Sequence, residues 1–229
     1  MKQFLLRLAK DSGKILLKGY HANKIITSKG KNGIVTDTDY RSEKFIVNSI
    51  KKKYPDHSIL TEEKLSHDKK SDLTWIIDPI DGTTNFSQNY PLFCVSIAVA
   101  RCDEVKYGVV YAPLLGEMYY AEKGKGAYLN GKKIKVSSKN RLKECVLATG
   151  FAYDRGKVMW KNLKTIGNVL KDRKTHGIRI DGSAALDLCF VAAGKYDGYW
   201  ENNLQPWDTA AASLIVKEAR WTCYWFGWF

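Results

Sequence analysis

The chain has few cysteines and histidines, and neither type is spaced like a metal or redox motif. The five cysteines are widely separated and form no C-x-x-C pair. An odd number at wide spacing argues against a disulfide framework, so we expect reduced and mostly buried thiols. The four histidines have no metal-ligand spacing, and we interpret them as surface or structural residues.

The sequence also lacks a long hydrophobic run. No apolar stretch approaches the ~20 residues that are needed to span a bilayer. Residues 1–18 have the periodicity of a helix, but charges interrupt the segment where a signal peptide would be continuously apolar. The interrupting residues are Lys2, Arg7, Lys10, Asp11 and Lys14. We therefore expect a cytoplasmic protein.

The composition is globular, with an excess of positive charge. Hydrophobic residues make up 45% and charged residues 27% of the 229 residues. This balance argues against disorder, and the length suits one large domain or two closely packed lobes. The formal net charge is +13, but the lysines are dispersed. We interpret this charge mainly as solubility and steering, with a nucleic-acid partner as the alternative.

Hydrophobic periodicity and turn residues predict alternating helices and strands. Helices are expected over 1–18, from Asp39 onward, and over 158–170, 183–193 and 207–219. Strands are expected over 58–60, 73–77, 93–99, 105–111, 117–121, 145–149, 177–180 and 196–200. Residues 30–33 and 124–131 are expected as loops or turns. Short turns between consecutive strands favour an antiparallel meander, and the whole pattern predicts a layered α/β or α+β protein.

Two aspartates, Asp78 and Asp81, follow the buried strand predicted over 73–77. Two carboxylates three residues apart, across a turn fixed by Pro79, can point to one place and repel each other there. Mg²⁺ relieves such repulsion and prefers oxygen ligands. If a helix begins at Gly82, its first amides would also hold a phosphate. The alternative is a structural turn with a helix cap.

Two further acidic sites favour the metal interpretation. Glu62 and Glu63 close one predicted strand, and Asp208 opens a predicted helix. Each alone is more often a cap or a solvated acid. Together with Asp78 and Asp81 they supply the three or four carboxylates that a two-metal phosphoryl-transfer site needs, without a protein nucleophile.

Two long segments carry a family resemblance. The string Trp75-Ile76-Ile77-Asp78-Pro79-Ile80-Asp81-Gly82-Thr83-Thr84-Asn85-Phe86 resembles the first signature of the inositol monophosphatase family. Trp207-Asp208-Thr209-Ala210-Ala211-Ala212 through to Glu218-Ala219 resembles the second, and Thr61-Glu62-Glu63 and Val35-Thr36-Asp37-Thr38-Asp39 match in type and order. The resemblance covers about residues 34–219. It implies the sugar-phosphatase fold, a layered α-β-α-β-α architecture with mixed and antiparallel sheets.

The resemblance also implies a metal centre with two Mg²⁺ ions, or with three if a weaker third ion is included. Glu62, Asp78 and the Ile80 carbonyl would hold one ion, and Asp78, Asp81 and Asp208 would hold a second. The third would share Glu62. Glu63 would lie behind these ligands or exchange roles with Glu62, and the sequence leaves that choice open.

Catalytic and substrate-binding roles are implied in the same way. Thr83, polarised by Asp39, would orient the attacking water, so Asp39, Glu62 and Thr83 are the expected catalytic residues. The amides of Gly82 and Thr83 would grip the phosphate. The expected substrate contacts are Asp81, Gly82, Thr83, Gly182, Ser183, Ala184, Glu201 and Asp208.

These roles imply a lithium-sensitive phosphomonoesterase that hydrolyses inositol monophosphate, or a related small polyol phosphate, with a metal-activated water. Histidinol phosphate, fructose 1,6-bisphosphate and 3′-phosphonucleotides are alternative substrates, because the site motif does not separate them. The alternative from another class is a protein that binds RNA or the transcription machinery on the same fold. A homodimer is expected, and no membrane partner.

The last ten residues depart from the family pattern. After Glu218-Ala219 the family continues with a glycine pair and a closing segment, whereas residues 220–229 are rich in aromatic side chains. We expect one domain over residues 1–219, with two packed lobes at roughly 1–140 and 141–219. The atypical tail over 220–229 is expected to be a truncated or frame-shifted end, with a genuine aromatic plug as the alternative.

Overall fold

The computed structural model describes residues 1–30, 33–153, 156–171 and 175–220. Its helices are α1 (Lys2–Tyr20), α2 (Asp37–Lys53), α3 (Thr83–Ser87), α4 (Lys157–Leu170), α5 (Ala184–Ala192) and α6 (Pro206–Glu218). Its strands are β1 (Ile26–Ser28), β2 (Ile34–Thr36), β3 (Ser58–Thr61), β4 (Leu73–Asp81), β5 (Cys94–Arg101), β6 (Glu104–Ala112), β7 (Glu117–Glu122), β8 (Gly126–Leu129), β9 (Lys132–Lys133), β10 (Val146–Thr149), β11 (Gly177–Arg179) and β12 (Gly198–Trp200). Among the helices described, none is both long enough and apolar enough to cross a membrane. Apart from Arg220, the predicted aromatic tail lies outside the described residues.

The larger sheet has the strand order β3-β4-β5-β6-β7-β8-β9. β3 and β4 are parallel, and each later neighbouring pair is antiparallel. Only Cys102 and Asp103 join β5 to β6, and both have positive φ (45° and 63°), as a two-residue hairpin turn requires. The predicted meander is confirmed.

Helices cover both faces of this sheet, and a second sheet follows. α1 and α2 pack together and against β4, β5 and β6, whereas α6 packs against β5, β6, β7 and β8. α5 lies on α6 and on β12 of the second sheet, whose three parallel strands have the order β11-β10-β12. The side chain of Asn162 ties α4 to this sheet through Thr149 and Trp200. The layered fold class with mixed and antiparallel sheets is confirmed.

The two faces of β4 belong to two different cores, because the strand is buried on both sides. Trp75 and Ile77 lie in a cluster with Leu16 of α1, whereas Ile76 packs against the cluster that contains Leu186 of α5. A continuous apolar run is typical of a strand covered on both faces. The second cluster joins residues from both sides of residue 140, and the division into two lobes stays a prediction.

A glycine in β6 sets the position of α6. A Cβ atom at Gly108 would lie 2.6 Å from the carbonyl oxygen of Ala211. The helix can approach the sheet this closely only because that Cβ is missing. Since Asp208 lies in the first turn of α6, this contact also positions one of the candidate metal ligands.

Some expected boundaries were wrong. β4 does not end at Ile77 but runs to Asp81, with a register shift between Asp78 and Asp81. A bulge there accommodates Pro79, which has no amide to donate to the ladder. α2 begins at Asp37 rather than at Asp39.

Short strands also occupy segments that were expected as turns. β8 lies within residues 124–131, and β1 and β2 had not been assigned at all. Residues 31 and 32 of the loop expected over 30–33 lie outside the described residues. Strands of three or four residues give too little alternation to be told from loops in the sequence.

Candidate active site

The bulge in β4 places the two central aspartates in the interior of the protein. Asp78 is 2% exposed and Asp81 is 8% exposed. Opposite them on β5, Ser96 pairs with Asp78 and Cys94 pairs with Asp81. The amide of Ile80 donates to Asp78 Oδ1 at 2.9 Å. Within the bulge, the backbone amide two positions after Asp78 therefore holds its carboxylate.

Asp81 is fixed by the beginning of α5, more than a hundred residues later in the chain. Its Oδ2 accepts from the Ser183 hydroxyl at 2.6 Å and from the Ala185 amide at 2.7 Å. Burial raises the pKa of Asp81 to about 6, against the opposing effect of these two donors, and the charge of Glu62 raises it further. Loss of charged-state solvation outweighs the hydrogen bonds here.

Burial disfavours the charged form of Asp78 as well, and more strongly than that of Asp81. Burial raises its pKa well above the ordinary value, and the charges of Glu62, Asp81, Asp208 and Asp39 add to the effect. Each of these neighbours is acidic, so their mutual repulsion is relieved only by protonation or by a cation. The acids raise one another's pKa, which agrees with the sequence prediction that they lie close together. Their roles as metal ligands stay a prediction.

Asp208 lies at the third position of α6 and closes a capping box. Its Oδ2 accepts from the Gln205 amide at 2.7 Å. Burial raises the pKa of Asp208 to about 8, and the charges of Asp81 and Glu62 contribute. The cap interpretation of this residue is thus correct in geometry, and its second oxygen still belongs to the acidic cluster.

Lys29 joins the two glutamates that follow β3. Its Nζ lies 2.7 Å from Glu62 Oε1 and 2.8 Å from Glu63 Oε1. Although burial lowers the pKa of Lys29, the two glutamates raise it overall, and burial raises the pKa of Glu63 to about 7. The charge of Glu62 raises the pKa of Asp39, Asp78, Asp81 and Asp208, and the charge of Asp39 raises the pKa of Glu63. This favours Glu62 as the member that faces the cluster.

Thr83 and Asp39 form a hydrogen-bonded pair beside the acids. The Thr83 hydroxyl lies 3.1 Å from Asp39 Oδ1 and 2.9 Å from the Ile80 carbonyl oxygen. Asp39 is fully buried at the first turn of α2, where its Oδ2 accepts from the amide and the hydroxyl of Thr36. Burial raises the pKa of Asp39 to about 6, partly offset by its donors Thr36 and Thr83.

Gly82 separates the acids from the short helix α3. Its φ is +90°, and a Cβ there would lie 2.9 Å from the Leu92 carbonyl oxygen, so the position requires glycine. α3 begins at Thr83 and contains five residues. Amides in the first turn of a helix have no intrahelical acceptor, which leaves those near Thr83 available to an anion.

The residues expected to contact substrate lie beside this turn. Gly182 has φ +78°, and a Cβ there would meet the side-chain amide of Asn85 at 3.2 Å. Ser183 caps α5 and holds Asp81. Glu201 accepts from the Tyr199 hydroxyl, and burial raises its pKa to about 7 with a contribution from Asp81. Ala184 begins α5, directly after the cap.

The donor chemistry of the cluster fits Mg²⁺. All the candidate ligands are carboxylate or carbonyl oxygens, which this ion prefers. Within the described part of the chain, no three His, Cys, Asp or Glu side chains already converge as a metal cage. Because the acids do not already converge, coordination by three of them requires some side-chain movement.

Two residues near the cluster were missed in the sequence. Lys29 lies in a lysine-rich loop, where no pattern distinguishes it. Asp187 lies in the otherwise apolar helix α5, which was a usable signal. It is 1% exposed, and within the described residues its Oδ1 has no hydrogen-bond partner. Burial raises the pKa of Asp187 to about 9, with help from Asp181 and Asp81.

Fold and site together define a layered α+β protein with a buried acidic centre. The sequence as a whole identifies the group more closely. The chain belongs to the Inositol monophosphatase family, which matches residues 1–220. The family resemblance expected from the two signatures is confirmed.

Relatives that are named for different functions are almost equally similar to this chain in sequence. The chain is 42% identical over 222 residues to the Nus factor SuhB of Pasteurella multocida, covering 96% of this chain and 82% of that protein. It is 41% identical to an inositol monophosphatase of Dictyostelium discoideum, covering 95% and 81%. The solved IMPase of Thermotoga maritima superposes with a TM-score of 0.85 at 39% identity, covering 96% of this chain and 84% of that one.

Proposed function

We propose that the chain is a Mg²⁺-dependent phosphomonoesterase that hydrolyses inositol monophosphate or a related small polyol phosphate. The observation that supports this most directly is the Thr83–Asp39 hydrogen bond beside a group of acids that raise one another's pKa. A group of like charges needs a cation, and a polarised hydroxyl beside it suits the activation of water. Family membership supports the same conclusion.

The metal ligands are proposed as the sequence suggested. Glu62, Asp78 and the Ile80 carbonyl would hold one Mg²⁺, and Asp78, Asp81 and Asp208 would hold a second, with a weak third ion at Glu62. When bound, Mg²⁺ supplies an acidified water and offsets charge on the phosphoryl oxygens. Lys29 would compete with the metal for Glu62, because its ammonium group pairs with Oε1 of that carboxylate.

Thr83 and Asp39 would orient the attacking water. With a pKa of about 6, Asp39 is ionised at pH 7 and accepts a hydrogen bond from the Thr83 hydroxyl group. The oxygen of Thr83 then has a free lone pair, which accepts a hydrogen bond from water and aims the water oxygen at phosphorus. An interaction of this kind acts mainly in the transition state.

Substrate binding would use two segments, the start of α3 after Gly82 and the start of α5 after Gly182. The first amides of α3 would hold the phosphate. Glu201, Asp81 and Asp208 present buried acceptors for the hydroxyl groups of a polyol. Fructose 1,6-bisphosphate and 3′-phosphonucleotides also carry hydroxyl groups, and histidinol phosphate carries an ammonium group that can donate to the same acceptors, so all three remain alternatives at the same site.

The test is a panel of phosphomonoesters that contains all four substrate classes. Phosphate release is measured with Mg²⁺ and with EDTA, and Li⁺ is titrated against the best substrate. We expect release to require Mg²⁺, to be fastest with an inositol monophosphate, and to be inhibited by Li⁺. No Mg²⁺-dependent release from any member would contradict the enzyme proposal, and a different best substrate would correct the substrate class.

A role in transcription is the second candidate. The relative from Pasteurella multocida is named a Nus factor, and the net charge of +13 suits a polyanionic partner,. Binding of this chain to RNA that falls steeply with salt, and that survives Asp81→Asn, would support it. A cytoplasmic location suits either function and stays a prediction.

We also propose a homodimer through the outer face of α4. Trp160, Leu163 and Leu170 lie along one side of this helix and are 67%, 39% and 47% exposed. Asn162 is the buried residue that attaches α4 to the second sheet. Exposed apolar side chains at helical spacing suit a second helix of the same kind.

A further inference from the structure

A groove of about 660 Å³ lies away from the acidic cluster. It is formed by the first turns of α1, the last residue of α2 and strands β7 and β8. Asp39 at the start of α2 belongs to the candidate active site, whereas Lys53 at its end lines the groove. The 14 steps along the helix from residue 39 to residue 53 correspond to about 21 Å along a helix axis. The groove is therefore a separate site.

The rim of the groove is positively charged without compensation. Lys2, Arg7, Lys10 and Lys53 line it, and the described lining residues include no carboxylate. None of the four side chains forms an ion pair in the part of the chain that the structure describes. Lys2, Arg7 and Lys10 all lie on the side of α1 that lines the groove, with Arg7 and Lys10 three residues apart. Four cations facing one cavity repel one another and favour an anionic ligand.

Two of these ammonium groups are held in place by aromatic rings. Lys2 Nζ lies 5.0 Å from the centre of the Tyr120 ring and 5.6 Å from that of Tyr128. Lys53 Nζ lies 4.6 Å from the centre of the Phe4 ring. Cation–π contacts of this kind restrict the long lysine side chains before a ligand arrives. A ligand that pairs with them therefore loses less side-chain entropy.

The floor of the groove is apolar. It is made of Phe4, Leu6, Met118, Tyr120 and Tyr128. A small inorganic anion would use the cationic rim and leave this floor uncovered. The volume is within the range of roughly 300–1,000 Å³ typical of small-molecule sites. The ligand should therefore combine anionic groups with a flat apolar body.

We propose that this groove binds a nucleotide, with its phosphates at the cationic rim and its base on the apolar floor. The nucleotide comes either from a free nucleoside triphosphate or from a segment of single-stranded RNA. Both offer the same chemistry, since phosphates pair with Lys and Arg, and bases stack on aromatic and apolar side chains. The site does not depend on the proposed phosphatase activity.

The test uses the whole chain in EDTA, so that metal-dependent binding at the acidic cluster is suppressed. Calorimetry at about 0.15 M salt measures ATP, tripolyphosphate and an oligoadenylate of about ten nucleotides. The charge-reversal variant is Arg7→Glu/Lys53→Glu, and Lys10→Glu is a second, milder one. The matched control is Lys44→Glu/Lys217→Glu, which makes the same change in net charge at exposed positions outside the groove.

We expect one ATP or one oligoadenylate segment per chain, with affinity lowered at least about tenfold by Arg7→Glu/Lys53→Glu and within about twofold of wild type in the control. Tighter binding of the oligoadenylate than of ATP would identify RNA as the source, and equal binding would identify the free nucleotide. Equal affinity for ATP and tripolyphosphate would overturn the proposal, because the base would then contribute nothing. Equal losses in the control variant, or no binding of either nucleotide probe, would overturn it as well.

Discussion

The hydroxyl group of Thr83 lies 3.1 Å from Oδ1 of Asp39, although 44 positions separate the two residues in the chain. The first turn of α2 holds Asp39, and the first position of α3 holds Thr83. Two helix starts therefore meet beside the acidic bulge of β4. The contact gives the hydroxyl a fixed acceptor within a buried site.

This pair should act as one unit in catalysis. We expect Thr83→Ala to lower kcat about 10²–10³-fold with little change in KM, because the lost interaction acts in the transition state. Asp39→Asn should give a loss of similar size, and the double variant should be little worse than either single one. Steady-state kinetics on the best substrate make the comparison, and fully additive losses would show that the residues act independently.

Asp81→Asn should abolish turnover without unfolding the chain. Asparagine keeps the shape and an oxygen acceptor for Ser183 and Ala185, but it removes the charge that a cation would need. Turnover and thermal denaturation are measured on the same preparation. Asp11→Asn, at a position near the surface, is the control. Activity within a few-fold of wild type, with normal Mg²⁺ dependence, would refute the ligand assignment of Asp81.

Lys29 should compete with Mg²⁺ for Glu62. Replacing it by methionine removes the ammonium group that now pairs with both glutamates. We expect Lys29→Met to lower the Mg²⁺ concentration for half-maximal activity several-fold, since an ammonium group on Glu62 repels a second cation at the same carboxylate. The neighbouring control is Lys24→Met, whose ammonium group binds Tyr20 and Asn89 instead. An unchanged or higher requirement would mean that Lys29 helps rather than hinders the metal.

Asp187 should make the protein less stable as the pH rises. Its pKa is raised to about 9 in the folded state from an ordinary 3.8, so the folded state keeps a proton that the unfolded state releases between these values. Its contribution to the free energy of unfolding therefore decreases from about pH 4 to pH 9, by at most about 1.4 kcal/mol per pH unit.

Asp187→Asn removes this dependence because asparagine does not ionise. We expect the variant and the wild type to melt at similar temperatures near pH 4, and the variant to be more stable by a few kcal/mol at pH 8. Denaturant titrations at both pH values give the comparison. A variant less stable than wild type at pH 8 would show that the carboxyl group makes a contact that asparagine cannot replace.

The α4 face should determine the oligomeric state. Trp160→Lys should convert a dimer to a monomer, because a charge would be buried in an apolar contact. Ile25→Lys is the matched control, since Ile25 is 71% exposed and lies near β1 instead. Light scattering after gel filtration gives the mass. A monomeric wild type, or a dimer that survives Trp160→Lys, would contradict the proposed interface.

Local chemistry made much of the fold predictable. Ser183 as the N-cap of α5 and the apolar run of β4 are determined by residues close to them in sequence, and both were found. The extension of β4 through Pro79 was not predictable, because a proline usually ends a strand. It is tolerated here only by a bulge that depends on β5,.

The candidate site, like the fold, could be predicted only in part from the sequence. The acids of the two signatures could be found because Asp78 and Asp81 follow an apolar run and Asp208 precedes one. The pairing of Lys29 with Glu62 and Glu63 could not be found, since it joins residues 33 and 34 positions apart in the chain. The unpartnered oxygen of Asp187 depends on packing from several elements, which no short window of sequence contains.

The hydrogen bonds of Asp81 have a consequence for the order of events during synthesis. The larger sheet and the Thr83–Asp39 pair are encoded in residues 36–133 and consist largely of neighbouring hairpins, which form early because their contacts are local,. The donors that hold Asp81 come 102 and 104 positions later, and Asp208 follows them. A nascent chain therefore completes its scaffold while the acidic centre is still open to solvent. Catalytic competence should arrive last, only after α5 and α6 have emerged and docked.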